Sequence, residues 1–277
     1  MIKVDYHFHP NFTYISSFLT KKRALKLWDK FTLEALDFVV CTEHVFRRPV
    51  KAYQNMIKYR PANHNTILLP GLEYITSEGI DLIVFSKNPS SVFGRQDLLN
   101  PFLLSVEEVF NLVKSDSDLK LIVPHPSTPS STGILRVMDL EKLDELYFDG
   151  IMLESSNYSF LYLNFILKKL RFNFLLKRLN FLIENTLDFE HKGYLEKYIK
   201  VFASDAHVFS DIGNCTLIKQ TKTGDLDYDF NIITTIEGKP LVSSNGNFKD
   251  LIFAFFTILK EGFLKKTRLY RIDKRIR

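Results

Sequence analysis

The chain has 277 residues, of which 45% are hydrophobic and 25% charged, and a formal net charge of +5. Its length is sufficient to bury a sizeable core, and its composition excludes collagen, low-complexity scaffolds and disordered tail proteins. Two cysteines, Cys41 and Cys215, are too few for a disulfide framework or a four-cysteine zinc site. We expect a cytoplasmic globular protein, because the first residues do not resemble a cleavable signal and no apolar run reaches the roughly 18–20 residues of a membrane span.

The predicted elements alternate between strands and helices along the chain. We expect strands over residues 2–6, 38–42, 66–69, 72–75, 82–86, 119–123, 150–153 and 200–203. Helices are expected over 20–36, 49–59, 138–146 and most of 158–200, and a further helix should begin at Ser105, which forms a capping-box pattern with Glu108. This alternation is typical of βαβ units with a largely parallel sheet, closed into a barrel or doubly wound, in one domain.

Two segments near the C-terminus do not follow this alternation. Residues 160–187 are rich in Phe and Leu with one narrow polar stripe, which predicts an amphipathic helix covered on two sides. Its cover is the rest of the domain, a second copy in a homodimer, or a membrane surface. Residues 260–277 contain eight basic and two acidic residues, so this tail carries +6 and the rest of the chain −1. The tail is either a solvated helix face or a segment that contacts nucleic-acid or lipid phosphates.

Histidines and carboxylates follow the predicted strands. Five of the seven histidines lie at or just beyond the C-terminal end of a strand: His7, His9, His44, His125 and His207. Four carboxylates have comparable positions: Glu43, Glu73, Glu154 and Asp205. Because the C-terminal ends of parallel strands converge on one rim, we expect these side chains to meet there. His64 and His191 lie in polar stretches and are interpreted as ordinary hydrogen-bonded histidines.

The spacing of these residues is typical of metal ligands. Residues i and i+2 of an extended segment point to the same side, so His7 and His9 can reach one ion together, and Asp205 and His207 can do the same. Imidazole and carboxylate ligands suit zinc, with iron and manganese as alternatives. Two or three ions about 3.5–4 Å apart would lower the pKa of a bridging water and clamp phosphate oxygens.

Five motifs resemble, in order and approximate spacing, those of the PHP (polymerase and histidinol phosphatase) superfamily. They are His7-Phe8-His9, Thr42-Glu43-His44, Gly71-Leu72-Glu73, Pro124-His125-Pro126 and Ser204-Asp205-Ala206-His207. The resemblance covers residues 4–216. It implies an α/β fold, a distorted seven-stranded β/α barrel over residues 1–216 with a helical elaboration at about 158–199, and C-terminal strands and a basic helix or tail over 217–277 packed on the same domain.

The resemblance also implies a two- or three-metal site at the C-terminal rim. The first ion would be held by His7, His9, Glu73 and Asp205. Glu73 would bridge to a second ion that His125 also holds, while His44 and His207 would hold a third. The resemblance assigns catalysis to Asp205, Glu73 and His207. Glu43 is interpreted as an outer partner that orients a ligand histidine, or alternatively as a surface acid.

The chain departs from the family's pattern at two points. Members usually place an Asp or His six to eight residues after the His-x-His pair, where this chain has Ile15-Ser16-Ser17, so that Asn11 or a water would have to replace the ligand. Members often have a further histidine on the strand after the bridging glutamate, where this chain has Asp81. Asp81 is therefore a candidate ligand, and we expect a complete dinuclear site with a weakened third position.

Candidate substrate contacts follow the same rim. Arg47 and Arg48 come directly after His44, and a guanidinium suits a phosphate, although solvated loop arginines are the alternative. Ser127, Thr128 and Asn157 are candidate donors to phosphate oxygens.

The leading hypothesis is a metal-dependent phosphoesterase with two to three zinc, manganese or iron ions. It would act on a phosphomonoester, a nucleotide or a nucleic-acid end. A different class of function is a catalytically weakened PHP scaffold that binds nucleic acid or a protein partner through the basic tail. A third hypothesis retains the metal site but hydrolyses a substrate other than a phosphoester.

Overall fold

The computed structural model describes residues 1–12, 16–126, 132–157, 197–207, 209 and 211–241. In these residues, nine strands form one sheet in the order β7-β6-β5-β4-β3-β2-β1-β8-β9. The strands are β1 Ile2–Phe8, β2 Phe38–Cys41, β3 Ile67–Ile75, β4 Asp81–Phe85, β5 Lys120–Val123, β6 Met152–Asn157, β7 Ile199–Ala203, β8 Cys215–Ile218 and β9 Lys239–Leu241.

Six α-helices accompany the sheet in the described part of the chain. They are α1 Ser17–Leu33, α2 Pro49–Lys58, α3 Pro89–Phe93, α4 Val106–Ser115, α5 Leu140–Glu145 and α6 Leu226–Thr235. The predicted capping box is present: the Ser105 side chain accepts from Glu108 N, and the Glu108 side chain accepts from Ser105 N. Among the described residues, none of the helices combines the length and the apolar character that a bilayer crossing demands.

The predicted seven-stranded β/α barrel is wrong, because the structure is a nearly closed barrel of nine strands in a mixed sheet. Strands β1–β3 are parallel to one another, as are β5–β7, but β4 runs antiparallel to both of its neighbours. The turn from β3 to β4 closes with a hydrogen bond from Thr76 N to Ile80 O, and a connection this short cannot hold a crossover helix. β8 and β9 then add two antiparallel strands beside β1.

Two further differences arise at β3. We predicted separate strands over 66–69 and 72–75, but β3 continues through Pro70, which pairs with Cys41 of β2. Because β4 is antiparallel to β3, the first residue of β4, Asp81, lies beside the C-terminal end of β3 at Ile75. The strand start therefore brings Asp81 to the rim that the parallel strands reach with their ends.

The interior of the barrel is apolar below this rim. One buried cluster draws residues from every strand from β1 to β8 and from α6. The hydroxyl of Tyr6 donates to Ile233 O of α6 at 2.6 Å, so α6 packs against this interior. Leu69 and Ile83 belong to the cluster, and Glu73 and Asp81 lie on the same strand faces at even spacing from them. The acidic side chains therefore continue the inner face above the apolar layer.

Contacts between the ends of β1 and β7 bring the barrel close to closure. His9 N donates to Ala206 O at 3.3 Å, and Ala206 N donates to His7 O at 3.4 Å. Buried Asp5 accepts from Ser204 N at 3.1 Å and from Ser204 Oγ at 2.6 Å. The Ser204 hydroxyl in turn accepts from Ala206 N. These bonds place the His-x-His and Asp-x-His segments side by side.

Replacing Ser204 with Ala should lower the free energy of unfolding by about 1–3 kcal/mol, because buried Asp5 and Ala206 N each lose a hydrogen-bond partner. It should also weaken metal binding, since the closure holds two ligand segments together. Urea unfolding and metal titration measure the two effects. Ser86→Ala is the matched control: Ser86 is buried and accepts from Asn88 N after the far end of β4, so it should reduce stability only. Equal metal affinity in the two variants would contradict the account.

Candidate metal centre

The structure brings all eight predicted metal ligands together at the rim. Donor atoms of seven of them fall into three groups, within each of which they lie no more than 4.8 Å apart, and the eighth, Asp205, lies 3.3–3.5 Å from three of the histidines. The central group is His7, His9 and Glu73. The second group, called here the carboxylate end, is Glu73, Asp81 and His125. The third, called the histidine end, is His9, His44 and His207.

Two imidazoles and two carboxylates face one another in the centre. His7 Nε2 and His9 Nε2 are 3.0 Å apart. Asp205 Oδ1 lies 3.5 Å from the first nitrogen and 3.3 Å from the second, and Glu73 oxygens lie at 3.8 and 3.6 Å from them. Asp205 and Glu73 thus approach the histidine pair together, and donor atoms of all four side chains converge on one space.

Carboxylates of the centre contact both ends of the cluster, Glu73 at the carboxylate end and both Glu73 and Asp205 at the histidine end. At the carboxylate end, His125 Nε2 lies 3.5 Å from Glu73 Oε1. At the histidine end, the ring of His9 stacks on His44 at 4.4 Å between centroids and lies 4.6 Å from that of His207. His44 Nδ1 contacts Glu73 Oε2, and His207 Nδ1 lies 3.3 Å from Asp205 Oδ1.

The charges of the cluster oppose the cost of its burial. Burial disfavours the protonated form of His7, but Asp205 and Glu154 outweigh this effect and hold the pKa of His7 well above its ordinary value. Burial also disfavours ionised Asp205, but His7 and His207 hold its pKa well below the usual range. Burial and the neighbouring His44 lower the pKa of His9 to about 3. Asp205 therefore stays ionised and attracts positive charge into the cluster.

The donor set fits divalent cations. Buried carboxylates need compensating charge, and Glu73 and Asp81 are each 2% exposed. The Nδ1 atoms of His9 and His125 are buried and make no hydrogen bond among the described residues. Imidazole nitrogens and carboxylate oxygens in one buried cluster are the ligands of zinc and related ions. The structure therefore contains clusters able to hold metal.

The backbone is strained at the loops that carry the cluster. Positive φ angles occur at His125 (31°), Asp205 (45°), Asn11 (55°) and Arg48 (59°). L-residues with a Cβ rarely adopt this conformation, and such strain concentrates at functional sites because the surrounding structure must enforce it. Two of these residues, His125 and Asp205, are themselves candidate ligands, so the surrounding structure must hold the backbone at both positions in a disfavoured conformation.

Glu154 has a contact that the sequence did not predict. Its position at the end of a predicted strand places it near the rim, but the spacing assigns it no role. In the structure Glu154 Oε2 lies 3.1 Å from His7 Nδ1, and both side chains are fully buried. A carboxylate on Nδ1 fixes the proton there and directs the lone pair of Nε2 toward the cluster.

Glu154→Gln should weaken metal binding roughly 10–100-fold, the usual cost of losing the partner of a ligand histidine. The amide keeps the volume but cannot hold the His7 proton as an anion does. Isothermal titration with Zn²⁺ measures the affinity, and circular dichroism checks the fold. Glu145→Gln on the exposed side of α5 is the control. An unchanged affinity of the Glu154→Gln variant for Zn²⁺ would show that the contact between Glu154 and His7 contributes to packing only.

Glu43, Asn11 and Arg47 form an outer network around His9. Glu43 is fully buried, so its interpretation as a surface acid is wrong. Its Oε2 accepts from Asn11 N at 2.7 Å, and its Oε1 lies 3.8 Å from His9 Nδ1. The Asn11 amide donates to the carbonyls of His9 and His207 and accepts from Arg47 Nη1. Asn11 therefore ties the ligand loops together, which leaves it a poor replacement for the missing third-site ligand.

The remaining sequence predictions have different outcomes. Arg47 is 6% exposed, so it is not a solvated loop arginine, and Arg48 precedes α2 at the rim. Asn157 ends β6, but its side chain lies outside the described part, as do Ser127, Thr128, His191, residues 158–196 and the basic tail. His64 makes local bonds, with Nδ1 accepting from Thr66 N and Nε2 2.8 Å from Trp28 O.

No family model matches the chain, and no curated protein matches it. One similar solved structure is the crystal structure of PsfC from Pseudomonas syringae PB-5123, with a TM-score of 0.57 and 15% sequence identity. The match covers 95% of this chain and 98% of that chain. At this identity the likeness shows the fold alone.

Proposed function

We propose that this protein is a divalent-metal-dependent hydrolase that acts on phosphoesters. The observation that carries the proposal is the convergence of five histidines with Glu73, Asp81 and Asp205 at one buried rim. The resemblance of the same motifs to the PHP superfamily supports a phosphoester substrate. A phosphomonoester, a nucleotide or a nucleic-acid end would fit that chemistry.

Two to three ions of zinc, manganese or iron would be held by the three groups of the cluster. When bound, such ions lower the pKa of a coordinated water and offset the negative charge that a phosphate brings. Glu73 and Asp205 would each serve more than one ion, because each lies beside histidines of two groups.

The surrounding residues hold these ligands in position. Glu154 keeps the proton of His7 on Nδ1, and Asp205 O accepts from His207 Nδ1 at 2.8 Å. Asn11 joins the carbonyls of His9 and His207. In the hydrolysis, the oxygen of water bonds to phosphorus while the bond between phosphorus and the ester oxygen breaks. The alcohol leaves with a proton that the attacking water gives up. We assign the role of catalytic residues in this reaction to Asp205, Glu73 and His207.

Phosphate release from a mixed panel of phosphomonoesters and nucleotides, with Mn²⁺ or Zn²⁺, tests the proposal. We expect release that depends on the added metal, and the preferred substrate would identify the class. Absence of release with either metal, in a folded protein that binds the ions, would contradict a phosphoesterase.

A weakened scaffold is the second candidate, and one observation favours it. The third metal position lacks the usual carboxylate or histidine, Ser16 caps α1 through its side chain, and the Asn11 amide is engaged in the loop network. Deleting residues 265–277 separates the two functions. A catalyst keeps its turnover of a small phosphoester, whereas a binder that depends on the basic tail loses its affinity for nucleic acid.

A further inference from the structure

The two ends of the cluster differ in donor chemistry. The carboxylate end has two carboxylates and one imidazole, whereas the histidine end has three imidazoles. Glu73 contacts His44 of the histidine end as well as His125, and Asp205 Oδ1 also reaches the histidine end. Carboxylates therefore approach both ends, and the ends differ in their number of imidazoles and in Asp81, which belongs to the carboxylate end alone.

Backbone contacts on two sides hold Asp81 in place. It begins β4 and pairs with Ile75, and its backbone N–H donates to Thr132 O at 3.0 Å. The residue is 2% exposed, so its carboxylate is buried beside Glu73 and His125. The side chain of His125 is 9% exposed, and its Nδ1 makes no hydrogen bond among the described residues. A buried site with two carboxylates is thus formed by β3, β4 and the residues that follow β5.

We propose that the two ends select different ions. Carboxylates suit Mn²⁺ and similar oxygen-preferring ions, and imidazoles suit Zn²⁺, for which three histidines are an established catalytic set. The carboxylate end therefore takes the Mn²⁺-class ion. The histidine end takes the Zn²⁺-class ion through its three imidazoles, although the further carboxylate or histidine that PHP members place at this third position is absent. This inference rests on the metal centre proposed above. It assigns to Asp81 the preference of the carboxylate end for Mn²⁺.

Metal counting in the full chain tests this selectivity. The protein is stripped with a chelator, loaded with one equivalent each of Zn²⁺ and Mn²⁺, and desalted. Retained ions are counted by atomic emission, and bound Mn²⁺ is followed by electron paramagnetic resonance. We expect the unmodified chain to retain both ions. Asp81→His should lower the affinity for Mn²⁺ about tenfold or more, at least the effect of losing the partner of a ligand, and retain Zn²⁺.

Two further variants make the test independent of one substitution. Asp81→Asn is nearly isosteric and should also lower Mn²⁺ affinity, so it replaces Asp81→His if that chain does not fold. His44→Asp is the reciprocal change and should raise Mn²⁺ retention at the expense of Zn²⁺. Unchanged Mn²⁺ affinity in folded Asp81→His or Asp81→Asn would overturn the proposal, as would displacement of all Mn²⁺ by one equivalent of Zn²⁺.

These counts need no substrate, so the inference and the proposed hydrolase can fail separately. Both ions retained without phosphate release would refute the hydrolase and support the selectivity. If phosphate is released but the two ends bind Zn²⁺ and Mn²⁺ with the same preference, only the proposed metal selectivity is refuted.

Discussion

Replacement of Asp205 with Asn is expected to lower metal-dependent phosphate release at least 100-fold, because the variant holds less firmly the cation that offsets negative charge in the transition state, and loss of such electrostatic stabilisation costs about 10²–10³ in rate. Asp205 Oδ1 lies within 3.5 Å of nitrogens of His7, His9 and His207. The amide retains the volume but loses the anion that holds an ion among these histidines. Initial rates at saturating Mn²⁺ or Zn²⁺ measure the effect.

The matched control is Asp227→Asn. Asp227 lies in the first turn of α6 with a side chain that is 77% exposed, paired with Lys87. Its loss should leave the rate within about twofold, because surface pairs contribute ~1 kcal/mol or less to stability and nothing to the rim. Turnover that survives Asp205→Asn in a folded protein would contradict the assignment.

Glu73→Gln should reduce the number of ions bound per chain. We expect this effect on metal binding to exceed that of replacing any other single ligand. Glu73 belongs to the central group and to the carboxylate end, and it also contacts His44. Its carboxylate can therefore serve two ions, and the amide cannot bridge them. We expect a loss of at least one ion and about a 100-fold lower affinity for the next, since losing a ligand should cost at least as much as losing the hydrogen-bond partner of one (about 10–100-fold).

Isothermal titration and atomic emission measure the ion count in this variant. Glu107→Gln, in the exposed first turn of α4, is the control and should bind as the unmodified chain does. An unchanged stoichiometry in Glu73→Gln would show that the carboxylate is not shared, and the arrangement of the centre would have to be revised.

The ligand positions could be predicted because they depend on local spacing and on strand ends. His7 and His9 are two residues apart at the end of β1, and Asp205 and His207 are two apart just after β7. A polar residue at the C-terminal end of a parallel strand lies at the same rim of the sheet, whatever the exact number of strands. Asp81 was predicted from its place in the motif order, and the antiparallel hairpin explains why a strand start reaches the rim.

Strand number and direction could not be predicted from local patterns. The sequence predicts separate strands over 66–69 and 72–75, yet β3 continues through Pro70 beside Cys41, because tertiary pairing outweighs the local preference of proline. The three residues of β9, with Pro240 in the middle, have no alternating pattern. The partners of Glu154 and Asn11 depend on the closure of β1 against β7, which is a long-range event that spacing does not encode.

The most direct test of the metal centre is anomalous diffraction from crystals of the protein soaked with Zn²⁺ and measured on both sides of the zinc absorption edge. The account predicts at least two anomalous peaks within the rim, one of them beside His7, His9, Glu73 and Asp205. Crystals that diffract well but have no peak among these residues would contradict it.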